Sequence, residues 1–203
     1  MNKQLSSEDY KRKMQRRKEA QDQRLATMKA EKGLIIVHTG NGKGKTTAGL
    51  GMVMRSLGHG FQVAIVQFIK GAWEPAEKKI LEQYADQLEF YAMGEGFTWE
   101  TQDRERDIAS AVQAWNKAKE FILDPKYKLI FLDEINIALK LDYLLLEDVL
   151  DTLAQKPESS HVILTGRGAK EELIEMADLV TEMKLIKHPF KNKGVKAQAG
   201  IEF

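Results

Sequence analysis

The chain has 203 residues, 43% hydrophobic and 30% charged, with a formal net charge of +1; this ordinary globular composition singles out no polyanionic partner. The absence of cysteine excludes a disulfide framework, a thiolate metal centre and a cysteine nucleophile, and fits a reducing compartment. No apolar run approaches the roughly 18 residues of a membrane span, and the basic N-terminus lacks a signal-peptide core, so a cytoplasmic protein without a membrane partner is expected.

Charge is uneven along the chain. Residues 1–32 carry ten Lys or Arg against five Asp or Glu, which leaves the remainder slightly acidic. Residues 8–32 lack glycine and proline, and their large apolar side chains are few: Tyr10, Met14, Leu25 and Met28. Such a stretch reads as an exposed helical or partly disordered arm. Three roles fit it: a solvated basic tail, a lid or partner-binding arm, or a nucleic-acid contact. The last is disfavoured because neither aromatic platforms nor a basic body accompany it.

From residue 34 short apolar runs alternate with helical patterns. Strands are predicted over 34–37, 62–69, 88–91, 128–132, 161–165 and 179–185, and helices over 45–57, 74–84, 102–122, 143–154 and 170–176. In the helix over 102–122, Ile108, Val112, Trp115, Ala118 and Ile122 recur at steps of three or four, the spacing of one buried face. Strands separated by helices predict an α/β fold with a mainly parallel central sheet and helices on both faces. No linker interrupts residues 33–203, which read as a single domain behind the arm of residues 1–32. The C-terminal segment KHPFKNKGVKAQAGIEF is predicted to be irregular and to wrap the surface.

The segment GNGKGKTT, Gly40 to Thr47, follows a predicted strand and opens a predicted helix, the context a phosphate-binding loop requires. Gly40, Gly42 and Gly44 permit a tight turn whose backbone N–H groups converge on anionic oxygens, and the helix N-terminus adds favourable potential. Asn41 and Thr47 belong to the same nucleotide-binding stretch. Lys45 is placed to reach phosphates and Thr46 to offer its hydroxyl to Mg2+, while Lys43 faces either phosphate or solvent. The common pattern has a glycine five positions before Gly44; here Thr39 stands there, which marks a variant loop.

KLIFLDE, residues 128–134, ends an apolar strand in two carboxylates. An acid at the carboxyl end of a central strand sits beside such a loop, so Asp133 is a candidate for the metal shell. Glu134 has several readings: a residue that positions an attacking water, a ligand to metal-bound water, or a brace for a neighbouring strand. TGRG, residues 165–168, ends another strand, and Arg167 either grips phosphate bidentately or makes a structural ion pair. His188 stands alone beside Pro189, with no spacing that suggests a zinc site. In MGEGFTWET, residues 93–101, Phe97 and Trp99 lie in a glycine-flanked polar loop, either as a buried strand end or as an apolar platform for a large flat ligand.

Together these stretches resemble the ATP:corrinoid adenosyltransferases of the phosphate-loop class. The resemblance rests on TGNGKGKTTAG at 39–49, VQFIKG at 66–71, GFTWETQD at 96–103, FLDE at 131–134, TGRG at 165–168 and GVKAQAGIEF at 194–203. It covers nearly the whole chain, and the ordered set is more specific than a phosphate loop alone. It implies a RecA-like α/β fold and transfer of the 5′-deoxyadenosyl group of ATP to Co(I) of a reduced corrinoid, with release of inorganic triphosphate. It further implies ATP bound in a reversed direction, Mg2+ (or Mn2+) with the nucleotide, and a homodimer. A reduced flavoprotein such as flavodoxin would supply the electron. On this resemblance Lys45, Thr46 and Arg167 serve the leaving triphosphate, and Thr46, Asp133 and Glu134 surround the metal. Phe97 and Trp99 meet the corrin face, and the N-terminal arm helps cover the site.

Two rival readings use the same loop. A RecA-like ATPase or regulator would release ADP and phosphate, with Glu134 beside the attacking water. A small-molecule kinase would pass the γ-phosphate to an acceptor. The identity of the product separates all three.

Overall fold

The computed structural model describes residues 6–28, 30–69, 76–92 and 103–201. It contains two compact units, Met1–Glu31 and Lys32–Phe203. In the first, helix α1 spans Ser7–Thr27 and buries none of its residues. Its N-terminus is fixed by Ser6, whose side chain accepts from Asp9 N, and Glu8 and Asp9 place acids in the first turn, where the helix dipole favours them.

The second unit is built on a six-stranded sheet in the order β3-β2-β4-β5-β1-β6. The strands are β1 (Ile35–Thr39), β2 (Val63–Gln67), β3 (Leu88–Ala92), β4 (Leu129–Asp133), β5 (His161–Thr165) and β6 (Leu179–Glu182). Every neighbouring pair is parallel. Successive side chains therefore enter two separate cores. Val37, Val66, Leu132 and Leu164 point to one face, and Ile36, Ile65, Phe131 and Ile163 to the other. This is why the central strands read as continuous apolar runs rather than alternating ones.

The crossovers supply the covering helices: α2 (Lys45–Gly58), α3 (Ala76–Leu81), α4 (Arg104–Leu123), α5 (Ile135–Lys140), α6 (Leu146–Ala154) and α7 (Glu171–Met176). A short 3-10 turn at Glu82–Tyr84 follows α3, and α8 (Pro189–Lys193) lies near the C-terminus. Val53 and Leu57 of α2 join one core; Trp115, Phe121, Leu139 and Leu153 from α4 to α6 join the other. Trp115 Nε1 also donates to Asp148 Oδ2 at 2.7 Å, linking α4 to α6.

Several boundaries differ from the sequence expectation. The helix predicted over 143–154 starts at Leu146, and a separate helix, Ile135–Lys140, follows β4 directly. Six residues are too few to display a 3.6-residue period against the apolar strand before them. The last strand stops at Glu182 rather than at residue 185, and α8 interrupts the segment expected to be irregular. The buried face of α4 is Ala111, Ala114, Trp115, Ala118, Phe121 and Ile122, whereas Val112 is 41% exposed. Three alanines on that face let the helix lie close to the sheet; a stripe judged by side-chain size passes over them.

Candidate functional site

Because the sheet is parallel, all its strands end at one edge, and five of the six ends are polar: Thr39, Gln67, Asp133, Thr165 and Glu182 close β1, β2, β4, β5 and β6. Ligands of open α/β sheets collect outside the carboxyl ends of the strands. The loop of residues 40–44, the acidic pair Asp133 and Glu134, and the TGRG turn all leave from this edge.

The phosphate loop is shaped by its own neighbours. Gly40 and Gly44 have φ values of 93° and 101°, in the left-handed region that favours glycine. A Cβ on Gly40 would lie 2.5 Å from Met183 O, and one on Gly42 would lie 2.6 Å from the same atom. Gly42 N donates to Met183 O at 2.6 Å, and Met183 N donates to Thr39 O at 2.8 Å. The backbone after β6 thus presses on the loop, and two of the glycines answer to that contact. Another close approach is at Gly49 in α2, where a Cβ would stand 2.6 Å from the Phe131 ring.

Lys45 is 6% exposed. Its ammonium donates to Gly40 O at 2.9 Å and Gly42 O at 2.6 Å. Burial holds its pKa below the ordinary lysine value, while Glu134 and Asp133 pull the other way. Asn41, Lys43 and Thr47 are exposed on the loop and the first turn of α2.

Asp133 is 3% exposed and receives three side-chain donors. Thr46 Oγ1 donates to its Oδ1 at 2.9 Å, Thr165 Oγ1 to the same oxygen at 2.7 Å, and Gln67 Nε2 to Oδ2 at 3.3 Å. Burial raises the carboxyl pKa, and the bonds from Thr165, Thr46 and Gln67 oppose that rise, since each favours the ionised form. Glu134 adopts φ 61°, rare for a residue with a side chain. Its pKa is pushed up to about 7, first by burial and then by Asp133, against Lys45 and Arg167. Among the described residues its Oε2 is buried without a hydrogen-bond partner. Arg167 is exposed between Gly166 and Gly168, whose φ values are 129° and 70°, and its charge acts on both Lys45 and Glu134.

The residues suit a hard cation that arrives with phosphate. Mg2+ prefers oxygen ligands, keeps several waters and commonly uses one or two carboxylates beside substrate phosphates. The Thr46 hydroxyl, the Asp133 carboxylate and the orphaned Glu134 Oε2 offer that donor set. Among the described residues no group of three or more His, Asp or Glu forms a protein-only cage.

Lys45, Thr46, Asp133, Glu134 and Arg167 therefore meet at one edge, as their motifs implied. Phe97 and Trp99 lie outside the described residues. Two residues that the quoted motifs contain, but to which sequence alone assigns no role, also bond to Asp133: Gln67 of VQFIKG, which ends the run VAIVQ, and Thr165 of TGRG, which ends HVILT. Each is a polar residue at the end of an apolar strand, the same pattern that pointed to Asp133. His188 stands at the N-cap of α8.

Comparison with known proteins gives two family matches. The profile described as ATP:corrinoid adenosyltransferase BtuR/CobO/CobP matches residues 31–203, and that described as Cob(I)alamin adenosyltransferase N terminal matches residues 1–25. The chain is 56% identical to a corrinoid adenosyltransferase of Sinorhizobium sp over 94% of this chain and 90% of the relative. It is 50% identical to one of Pseudomonas aeruginosa over 96% and 95%, and 45% identical to one of Escherichia coli strain K12 over 98% and 100%.

Proposed function

The chain belongs to the ATP:corrinoid adenosyltransferase family matched across residues 31–203, and from that premise we propose how its phosphate-loop site serves the transfer. The enzyme moves the 5′-deoxyadenosyl group of ATP to Co(I) of a corrinoid, in adenosylcobalamin biosynthesis or salvage. A cobalt–carbon bond forms at C5′ as the C5′–O bond breaks, and inorganic triphosphate leaves with the electron pair of that bond. The observation that carries the site reading is the convergence of Lys45, Thr46 and Asp133 at the carboxyl edge of the sheet.

Co(I) is already a strong nucleophile, so the reaction asks the protein for alignment, exclusion of water and charge neutralisation rather than for a general base. Lys45 and Arg167 provide positive charge for the triphosphate, with Lys43 beside them. The loop amides from Gly40 to Thr47, including Asn41 and Gly44 but not Gly42, whose N–H is given to Met183 O, cradle the chain of phosphates. Thr46, Asp133 and Glu134 would hold Mg2+, or Mn2+ in its place, which supplies further neutralisation of the leaving group when bound. Phe97 and Trp99 are assigned to the corrin face, where loss of the lower axial ligand eases reduction of Co(II). The N-terminal arm acts as the lid. The core is of RecA-like phosphate-loop type, and the enzyme works in the cytoplasm as a homodimer that receives its electron from a reduced flavoprotein such as flavodoxin.

Incubation with Mg-ATP and chemically generated cob(I)alamin under anaerobic reducing conditions tests the reading. Chromatography should recover adenosylcobalamin and stoichiometric triphosphate. ADP and phosphate without a cobalt–carbon product would put an ATPase first. One observation favours that second reading: Glu134, with a pKa of about 7, lies in the range suited to a general base for water.

A further inference from the structure

We propose that Thr165 is a positioning residue of the nucleotide–metal site, acting through Asp133 and Glu134 without touching substrate. The proposal rests on the reading of Thr46 and Asp133 as the metal-side ligands. Thr165 is the last residue of β5 and is 0% exposed. Its hydroxyl donates to Asp133 Oδ1 at 2.7 Å and accepts from Glu134 N at 3.0 Å. One oxygen thus holds two successive residues of the neighbouring strand end: the carboxylate of the first and the peptide N–H of the second.

Both contacts matter to geometry. Asp133 Oδ1 also accepts from Thr46 Oγ1 at 2.9 Å. A Thr46 hydroxyl whose proton points to Asp133 keeps its lone pairs for a cation, the arrangement in which outer hydrogen bonds orient ligands. The second Thr165 contact captures the peptide N–H of Glu134 in its left-handed conformation, φ 61°, a conformation that persists only where the surroundings over-determine it. The next residue adds to the fit: a Cβ on Gly166 would come within 3.1 Å of Glu134 Oε2. Val162, Ile163 and Leu164, which precede Thr165 in the core, are purely apolar. The hydroxyl is what distinguishes the position.

Thr165→Val keeps the branched shape and removes both bonds; Thr165→Ser keeps the hydroxyl. Affinity for ATP is measured by calorimetric titration twice for each protein, with Mg2+ and with a chelator. Thr165→Val should bind Mg-ATP at least about tenfold more weakly than wild type, as loss of outer-shell hydrogen bonds to metal ligands typically does. Metal-free ATP affinity should change less than about twofold, and Thr165→Ser should stay within about threefold in both titrations. If Thr165→Val does not fold, Thr165→Ala is held to the same criterion. Equal loss with and without metal, no loss at all, or a serine variant as impaired as the valine variant would overturn the proposal. A wild-type protein that bound ATP no better with metal would overturn it together with the metal assignment. Formation of adenosylcobalamin by wild type tests the transfer reading separately.

Discussion

Thr46 and Asp133 are separated by 87 residues of sequence, yet the hydroxyl of one donates to the carboxylate of the other at 2.9 Å. The contact joins the first turn of α2 to the end of β4. It also places the loop lysine beside the acidic pair: Lys45, next to Thr46, is electrostatically coupled to both Asp133 and Glu134. The site is thus a single cluster of opposed charges, and its members respond differently to substitution.

Lys45→Ala removes the buried ammonium and the donor shared by Gly40 O and Gly42 O. Loss of a charge aimed at the departing triphosphate should lower kcat/KM by about a hundredfold or more. Steady-state assay of adenosylcobalamin formation reads the effect; near-normal kcat/KM would remove Lys45 from the reacting site.

Trp99→Ala tests the corrinoid side. Turnover with corrinoid and the ease of Co(II) reduction should fall by about tenfold, the scale of one lost aromatic contact, while ATP affinity is kept. Unchanged Co(II) reduction would return Trp99 to a packing role. Deletion of residues 1–31 asks the parallel question of the proposed lid: the core unit should fold, with corrinoid kinetics weakened. Unaltered kinetics would make the arm a solvated tail.

Gly49→Ala tests why α2 lies so close to the sheet. The added methyl would stand 2.6 Å from Cε2 and Cζ of Phe131, in a core where Phe131 is 1% exposed. Overpacking of this kind costs about 1–3 kcal/mol, against a small gain from replacing a helical glycine. Urea unfolding should show a lower midpoint; a midpoint at or above that of wild type would mean that α2 shifts freely.

Two histidines, His38 buried and His161 half-buried, should weaken the fold as pH falls. His161 Nδ1 accepts from Leu34 N at 3.1 Å, a role open only to an unprotonated nitrogen. Burial lowers its pKa from 6.5, and the charges of Lys128 and Lys156 lower it further. His38, 3% exposed, is lowered from 6.5 by burial. Above pH 6.5 neither state of the chain binds these protons; below it the unfolded chain takes them up first, so stability is lost as pH falls through 6.5 toward the folded-state values. Between about pH 7.5 and 5.5 Glu134, whose folded-state pKa is raised to about 7, contributes in the opposite sense, so the histidine contribution is read as a difference: the urea midpoint of His38→Leu relative to wild type should rise as pH falls. An identical slope in that variant would exclude His38 as a source.

The phosphate loop, the strand-ending acids and the TGRG turn were legible in the sequence because each couples a short local pattern to a required backbone shape: glycines where φ is positive, or a charge where an apolar run stops. The α/β class was equally legible, since strands buried on two faces must be apolar throughout. Pairing was not local. The order β3-β2-β4-β5-β1-β6 places β5 between the loop strand and the acid strand, and that placement gives Thr165 its two partners. Gln67 and Met183 likewise acquire their roles from neighbours far away in the chain. Local sequence determined which groups could bind a phosphate chain; tertiary structure decided which of them share one site, because side chains distant in sequence become partners only when the strands between them are packed.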